Sequence, residues 1–356
     1  MIYKSVTDAI IKNRTKRLNN EVISIPWSLK GLSRIIPGVE QARYSIISAG
    51  PKAGKSQLAD FLYLYEPFEW VRENKDSPIT LKILYFSLEM SRQTKILQAI
   101  SYKLNKSYGI SISPQNLKST FESYILDERV LKIIKSKEFQ NWLQDLESTV
   151  TFIDNLRSPG AIYNYVRKYA EKNGKFMNEG ENLLYFPDNP NEYVIILTDH
   201  LSLLSPDHGT LFDAIYDYSA YKCLEFRDRF GYTVVNVQQQ SAASGQQQFD
   251  YRGGSVVEKI RPTVEGLADC KLSARDCCLM ISLFNPTGYN IEKYENIDLR
   301  KIGRWHRELY VNLNRNGLAN AMVQLFFNGA VNEFAELPKT EDIYEFVERK
   351  TKYLIN

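Results

Sequence analysis

The chain is poor in the residues that build covalent or metal scaffolds. Four cysteines (Cys223, Cys270, Cys277, Cys278) and three histidines (His200, His208, His306) occur in 356 residues. No Cys-x-x-Cys pair is present and the histidines lack metal-site spacing, which excludes a zinc motif and a disulfide framework. Cys277 and Cys278 sit in an apolar run and read as reduced, buried thiols of an intracellular protein. Long hydrophobic runs are missing too. Tyr193–Leu197 and Cys277–Phe284 are far too short to cross a membrane and have the length of buried strands. The start, MIYKSVTDAIIKN, lacks the basic-then-apolar architecture of a signal peptide, so the expected location is the cytoplasm of a bacterial cell. Neither sign of charge dominates. Lys and Arg total 45 against 42 for Asp and Glu, a net charge of +3. Any nucleic-acid binding must come from a local basic patch.

What is present is ordinary for a globular chain: 44% hydrophobic and 24% charged residues, which excludes a disordered or collagen-like protein. The length suits two to three domains, or one large α/β domain with insertions. Residues 5–17 read as a short amphipathic helix, with Ser5 as cap, Val6, Ala9, Ile10 and Asn13 on one side, and Arg14, Lys16 and Arg17 at its end. A lone helix this short is marginal in water, so it packs on its own domain or docks on another subunit.

Strands and helices then alternate. Strands are predicted at Tyr44–Ser48, Leu81–Phe86, Thr151–Ile153, Val194–Leu197, Thr233–Val237, Leu279–Phe284, Glu308–Leu313 and Met322–Phe327. Helices are predicted after Ser56, from about Ser91, over 126–147, from Ser158-Pro159 to Gly174, and over Thr210–Phe230. This order implies a mostly parallel sheet covered on both faces. The stretches 175–191, 238–262 and 285–303 read as loops.

The sharpest motif is Ala49-Gly50-Pro51-Lys52-Ala53-Gly54-Lys55-Ser56, which departs from G-x-x-x-x-G-K-[ST] only at its first position. A strand precedes it and a helix follows it, so backbone N–H groups and a helix N-terminus would face phosphate. Gly54 permits close backbone approach, Lys55 can reach the β/γ oxygens, and Ser56 can ligate Mg²⁺. Two acids end neighbouring strands. Asp199 follows Tyr193–Leu197, where a carboxylate would hold the magnesium water shell. Glu89 follows Leu81–Phe86, where it can polarise an attacking water as general base. Gln239 ends the next strand, within Val234–Gln239, and could sense the γ-phosphate; Gln238 and Gln240 leave the register open by one.

With these residues in place, the chain resembles the C-terminal ATPase domain of DnaB-type replicative helicases, a RecA-like α/β P-loop NTPase of helicase superfamily 4. Ile25-Pro26-Trp27-Ser28-Leu29 and Gly38 resemble the lead-in, Phe86-Ser87-Leu88-Glu89-Met90 is the most distinctive match, and Ile195–Leu203 resembles the Walker-B segment. Arg315-Asn316-Gly317, Phe326-Phe327-Asn328-Gly329 and Phe334 resemble the C-terminal signature, in which Arg315 would act as a finger on a neighbour's ATP. The likeness runs from about residue 20 to 336. It implies a nucleotide site of Gly50, Pro51, Lys52, Ala53, Gly54, Lys55, Ser56, Gln57, Asp199 and Gln239, catalysis by Glu89, Lys55 and Arg315, and magnesium on Ser56 and Asp199. Leu313 stands where a basic residue usually precedes the finger, a departure that bears on the strength of hydrolysis. Only residues 1–20 precede the core, where the family carries a helical domain that contacts primase. The expected organisation is a docking helix or linker over 1–20, a RecA-like ATPase domain over 21–336 with insertions near 105–150 and 175–191, and a helical tail over 337–356.

The resemblance also implies ATP and Mg²⁺ as cofactors, single-stranded DNA in the channel of a homo-hexameric ring, and a primase or loader as partner, in a compact phage or plasmid replication protein. The segments matching the channel loops are about 204–210 and 241–275. The second offers Arg252, Lys259, Arg261, Lys271 and Arg275 for phosphates, and Phe249 and Tyr251 for stacking on bases. Alternatives to a helicase or translocase are a RecA-like DNA-stimulated ATPase without unwinding activity, such as a loader or recombination mediator, and a weakly active assembly scaffold.

Overall fold

The computed structural model describes residues 2–19, 21–120, 124–179, 182–241, 260–289, 291–294, 297–338 and 342–352. Among them, the strands in chain order are β1 Tyr44–Ala49, β2 Thr80–Ser87, β3 Val150–Ile153, β4 Gly174–Glu179, β5 Asn182–Pro187, β6 Glu192–Asp199, β7 Thr233–Gln239, β8 Leu279–Phe284, β9 Lys293–Tyr294, β10 Ile297–Asp298, β11 His306–Asn314, β12 Ala321–Asn328 and β13 Glu333–Glu336. Nine of these form one sheet in the order β13-β12-β11-β8-β1-β7-β6-β2-β3. The six from β8 to β3 are parallel; β11, β12 and β13 extend the sheet in antiparallel fashion. Among the described residues no helix is long and apolar enough to cross a membrane.

The parallel strands are near-continuous apolar runs because both faces are covered. β1 shows how one strand serves two cores. Ile47 packs with Leu58, Leu62, Phe68 and Trp142 under the helices on one face. Ile46 packs with Ile162, Val166, Ile215 and Phe226 on the other. The chain leaves β1 toward β2 and returns through β6 and β7 before crossing to β8 on the far side of β1, so a crevice opens at the carboxyl end of β1.

Local signals set the helix starts. Ser158 accepts a hydrogen bond from the Ala161 N–H and Pro159 opens the helix Pro159–Lys172. Thr210 and Asp213 form a reciprocal capping box on a helix that runs from Leu211 to Asp228 through a π-helical segment, Tyr218–Lys222. The helix after the phosphate loop likewise runs unbroken from Lys55 to Glu73 through a π-helical segment, Phe61–Tyr65.

Several expectations are corrected. Residues 175–191 are not a loop: β4 and β5 form an antiparallel hairpin, anchored by Phe176 and Tyr185 against Phe230 at ring-centroid distances of 5.5 and 5.7 Å. The polar turn residues at 187–191 close the hairpin and do not represent the whole stretch. The segment 285–303 carries the β9–β10 pair and two short helical turns. The 105–150 region builds its own small core from Leu104, Ile112, Leu126, Val130 and Phe139 and delivers β3 to the sheet edge. The N-terminal helix spans Ile2–Leu18, so Ser5 lies inside it and not at its start. Val6, Ile10, Ile11 and Leu18 on this helix are exposed. In the tail, helix Ile343–Thr351 packs Val347 into a third cluster with Phe326.

Trp142 ties the 137–149 helix to the phosphate-loop helix. It is fully buried, its indole N–H donates to Glu69 Oε1 at 2.9 Å, and it meets Phe68 edge-on. Trp142→Ala is expected to destabilise the fold by about 3–5 kcal/mol. Denaturant unfolding should retain a single transition at a lower midpoint; a separate early transition would mean that this region folds apart from the sheet.

Candidate nucleotide site

β1 ends at the buried Ala49, and the turn that follows needs unusual backbone angles. Lys52 has φ 58° and Gly54 has φ 108°. At Gly54 a Cβ would sit 2.9 Å from the Phe327 ring, so both conformation and space require glycine. No side chain caps the helix that starts at Lys55. Its first N–H groups and dipole are therefore available to an anion. The loop is braced from the antiparallel side by Arg307. Its Nε donates to the Ala53 carbonyl at 2.8 Å, its Nη1 donates to Asn285 Oδ1 at 3.2 Å, and its guanidinium stacks 4.8 Å from the Phe327 centroid. Burial lowers the Arg307 pKa to about 10, which leaves it charged at neutral pH.

The parallel register brings the acids to this loop. Ser87 of β2 pairs with Asp199 of β6, and the Leu88 N–H donates to the Asp199 carbonyl at 2.7 Å. Lys55 and Ser56 are both buried. Lys55 Nζ lies 4.0 Å from Glu89 Oε2, and the Ser56 hydroxyl donates to Asp199 Oδ1 at 2.9 Å. Glu89 is the more exposed partner, open to a water and a nucleotide. His200 Nε2 stands 3.8 Å from the same Glu89 oxygen. Burial, and then the Lys55 charge, push the His200 pKa down, favouring neutral imidazole.

Register also separates the three glutamines. Gln239 aligns with Ala49. Gln238 donates to the Ala268 and Cys270 carbonyls at 2.7 and 2.9 Å, and Gln240 to Ser48 Oγ at 2.9 Å. Gln239 points to the opposite face, that of Val237 and the phosphate-loop helix. Among the described residues its side chain has no hydrogen-bond partner. A cleft of about 280 Å³ opens beside the loop, lined by Gly50, Pro51, Gln240, Ile260 and Tyr289 among others.

Four residues at the site escape sequence reasoning: Asp60, Tyr85, Lys95 and Arg307. Asp60 and Lys95 are fully buried and paired at 3.0 Å, with Tyr85 between them. Burial alone would lower the Lys95 pKa, but Asp60 and Asp199 outweigh it and raise it. The available signal was a lone charge within an apolar helical run, Leu58-Ala59-Asp60-Phe61-Leu62.

Arg315 lies elsewhere. Asn314 pairs with Leu279 at the start of β8, level with Ser45 near the start of β1. Arg315 therefore sits at the opposite edge of the sheet from its own phosphate loop, donating to the Cys277 carbonyl at 2.9 Å and the Arg275 carbonyl at 2.5 Å. Of the cations expected to face DNA, Arg252 and Lys259 fall outside the described residues, as do Phe249 and Tyr251. Arg261 is turned inward, donating to the Tyr294 hydroxyl at 2.6 Å with its guanidinium over the Tyr294 and Tyr310 rings. Lys271 is exposed, and Arg275 pairs with Asp276.

No protein-family model matches the chain, and no curated protein does. Solved structures do. The ATPase domain of a helicase aligns over 93% of this chain and 98% of its own length, at 18% identity and a TM-score of 0.62. A DnaB-like replicative helicase, from a study of its interactions with primase, aligns over 92% of this chain and 66% of its own length, at 17% identity and a TM-score of 0.65. The fold is that of DnaB-type helicase ATPase domains. The RecA-like α/β architecture expected from the motifs is thus borne out, and the likeness at this identity is one of fold.

The oxygen donors Ser56 and Asp199, buried and 2.9 Å apart, are the hard ligand chemistry that magnesium takes. Lys55→Ala should abolish nucleotide hydrolysis. Glu89→Gln should leave nucleotide affinity near the parent value while slowing single-turnover hydrolysis on the order of 10²-fold or more. A parallel fall of affinity and rate in Glu89→Gln would assign Glu89 a structural role and place the base elsewhere.

Proposed function

We propose that this chain is an ATP-driven motor on single-stranded DNA, a helicase or translocase of DNA replication that works as a homo-hexameric ring. The observation that carries the reading is the split of the hydrolytic residues across the sheet. Lys55, Ser56, Glu89, Asp199 and Gln239 gather at one edge, while Arg315 stands at the other. Bound Mg²⁺-ATP supplies the phosphoryl group to be transferred. Lys55 neutralises charge on the phosphates, Ser56 and Asp199 orient the ion and its waters, and Glu89 takes the proton of the attacking water. Arg315 serves the phosphates of an adjacent subunit. Gln239 ends the strand from which the 242–259 segment departs, and that segment, with Lys271, contacts the strand of DNA. A primase or loader is the expected protein partner, and the exposed apolar residues of the N-terminal helix offer a contact between subunits.

A DNA-stimulated ATPase without unwinding activity is the second reading. It is favoured by the inward packing of Arg261 and by Leu313 in place of a basic residue before the finger. Displacement of one strand from a forked duplex with ATP distinguishes the two, since only the first reading expects it.

Subunit mixing tests the ring itself. Lys55→Ala and Arg315→Ala proteins are each expected to be inactive, because a finger arginine can be worth roughly 10³–10⁵ in rate. Mixed assemblies place an intact loop from one beside an intact arginine from the other, and partial ATPase activity should return. No recovery, with subunit exchange demonstrated, would remove Arg315 from the mechanism.

A further inference from the structure

Beneath the phosphate loop lies a buried ionic cluster that the hydrolytic scheme above does not use. Asp60 comes from the phosphate-loop helix, Tyr85 from β2, Lys95 from the helix Arg92–Tyr108, and Asp199 from the end of β6. Lys95 Nζ lies 3.2 and 3.0 Å from Asp60 Oδ1 and Oδ2, 2.6 Å from the Tyr85 hydroxyl, and 3.6 Å from Asp199 Oδ2. The Tyr85 hydroxyl stands 2.7 Å from Asp60 Oδ1 and 3.2 Å from Asp199 Oδ2. Lys95, Asp60 and Asp199 are each about 1% exposed.

Packing does not require this arrangement. A buried ion pair is often no more stabilising than two apolar side chains of similar volume. What the cluster does supply is direction. A carboxylate is planar, so holding one oxygen fixes the other. Tyr85 and Lys95 approach Asp199 on its Oδ2 side, and Oδ1 is left facing the Ser56 hydroxyl at 2.9 Å. Tyr85 has a single proton for two carboxylates. Lys95 satisfies Asp60 through two short contacts, which lets the Tyr85 proton turn to Asp199.

We propose that Asp60 and Lys95 are a positioning pair for Asp199, acting through Tyr85, that fixes the carboxylate toward Ser56 and so sets how tightly the magnesium ion of the bound nucleotide is held. The inference rests on the nucleotide-site reading above. Partners behind a metal-orienting carboxylate typically contribute 10–100-fold to metal affinity.

The pair carries no net charge. Replacing both members therefore leaves the field at Asp199 nearly unchanged and removes only the orientation. The test is equilibrium binding of a fluorescent ATP analogue across a Mg²⁺ titration, with EDTA as the metal-free reference. The Asp60→Leu/Lys95→Met double variant should unfold at or above the parent temperature and bind the analogue in EDTA as the parent does. Its Mg²⁺ midpoint should rise on the order of ten-fold. Tyr85→Phe, which removes one oxygen atom, should shift the midpoint in the same direction by less. An unchanged midpoint in the folded double variant overturns the proposal; if the double variant does not fold, an unchanged midpoint in Tyr85→Phe does so. Asp199→Asn separates the two levels of failure. A raised midpoint there with no change in the other variants removes the positioning role alone, whereas no effect of Asp199→Asn removes the nucleotide-site reading and the proposal with it.

Discussion

The parallel pairing of β1, β7, β6 and β2 is the constraint on which the site depends. Side chains far apart in sequence meet because their strands end level with one another: Ala49 with Gln239, and Asp199 with Ser87. Register is enforced by burial. A slip of one residue on any of these strands would exchange the side chains facing the two cores, moving Ile47 into the place of Ile46 and Gln238 into the place of Gln239. The chemistry of the edge is thus specified by apolar residues that never touch it.

Placing charge inside such a sheet has a desolvation cost, and the two buried cations meet it differently. Lys95 faces two carboxylates and a phenol, so its charge is balanced by opposite charge. Arg307 has carbonyl and amide oxygens and an aromatic face as its partners: Ala53, Asn285, Arg304 and His306 accept from it, and Phe327 lies beneath it. A planar fork with five donors suits many neutral acceptors, whereas a compact ammonium needs anions. The contrast fits their positions. A second carboxylate beside the loop would repel phosphate, while under Asp199 an anion–cation pair is neutral overall.

Legibility in the sequence followed how local each signal was. The phosphate loop, Glu89 and Asp199 were readable because strand, turn and acid are contiguous in the chain, and the structure brings Lys55 within 4.0 Å of Glu89. The capped helix at Ser158 and the long helix after Thr210 were readable for the same reason. The β4–β5 hairpin was hidden by turn residues that dominate its end, although Phe176 and Tyr185 anchor it. Arg307 and Lys95 were hidden for a different reason. A lysine or arginine on a predicted helix or strand is normally solvated, and only the fold determines that these two point inward. The glutamine register, open in the sequence, closed once β7 was paired with β1.

β11 joins these observations. It carries Arg307 near one end, bonded to the phosphate loop, and leads into Arg315 at the other, bonded to the carbonyls of Arg275 and Cys277. Eight residues of strand at roughly 3.3 Å each separate the two guanidinium-bearing positions by about 25 Å. No rotamer of an arginine spans that distance, so Arg315 cannot reach the loop of its own chain. Within one subunit the hydrolytic set is therefore complete except for a cation on the far side of the phosphates, and the same strand that braces the loop presents such a cation outward. A closed ring of identical subunits satisfies both ends at once, because each heterologous contact sets the outward edge of one copy against the loop edge of the next.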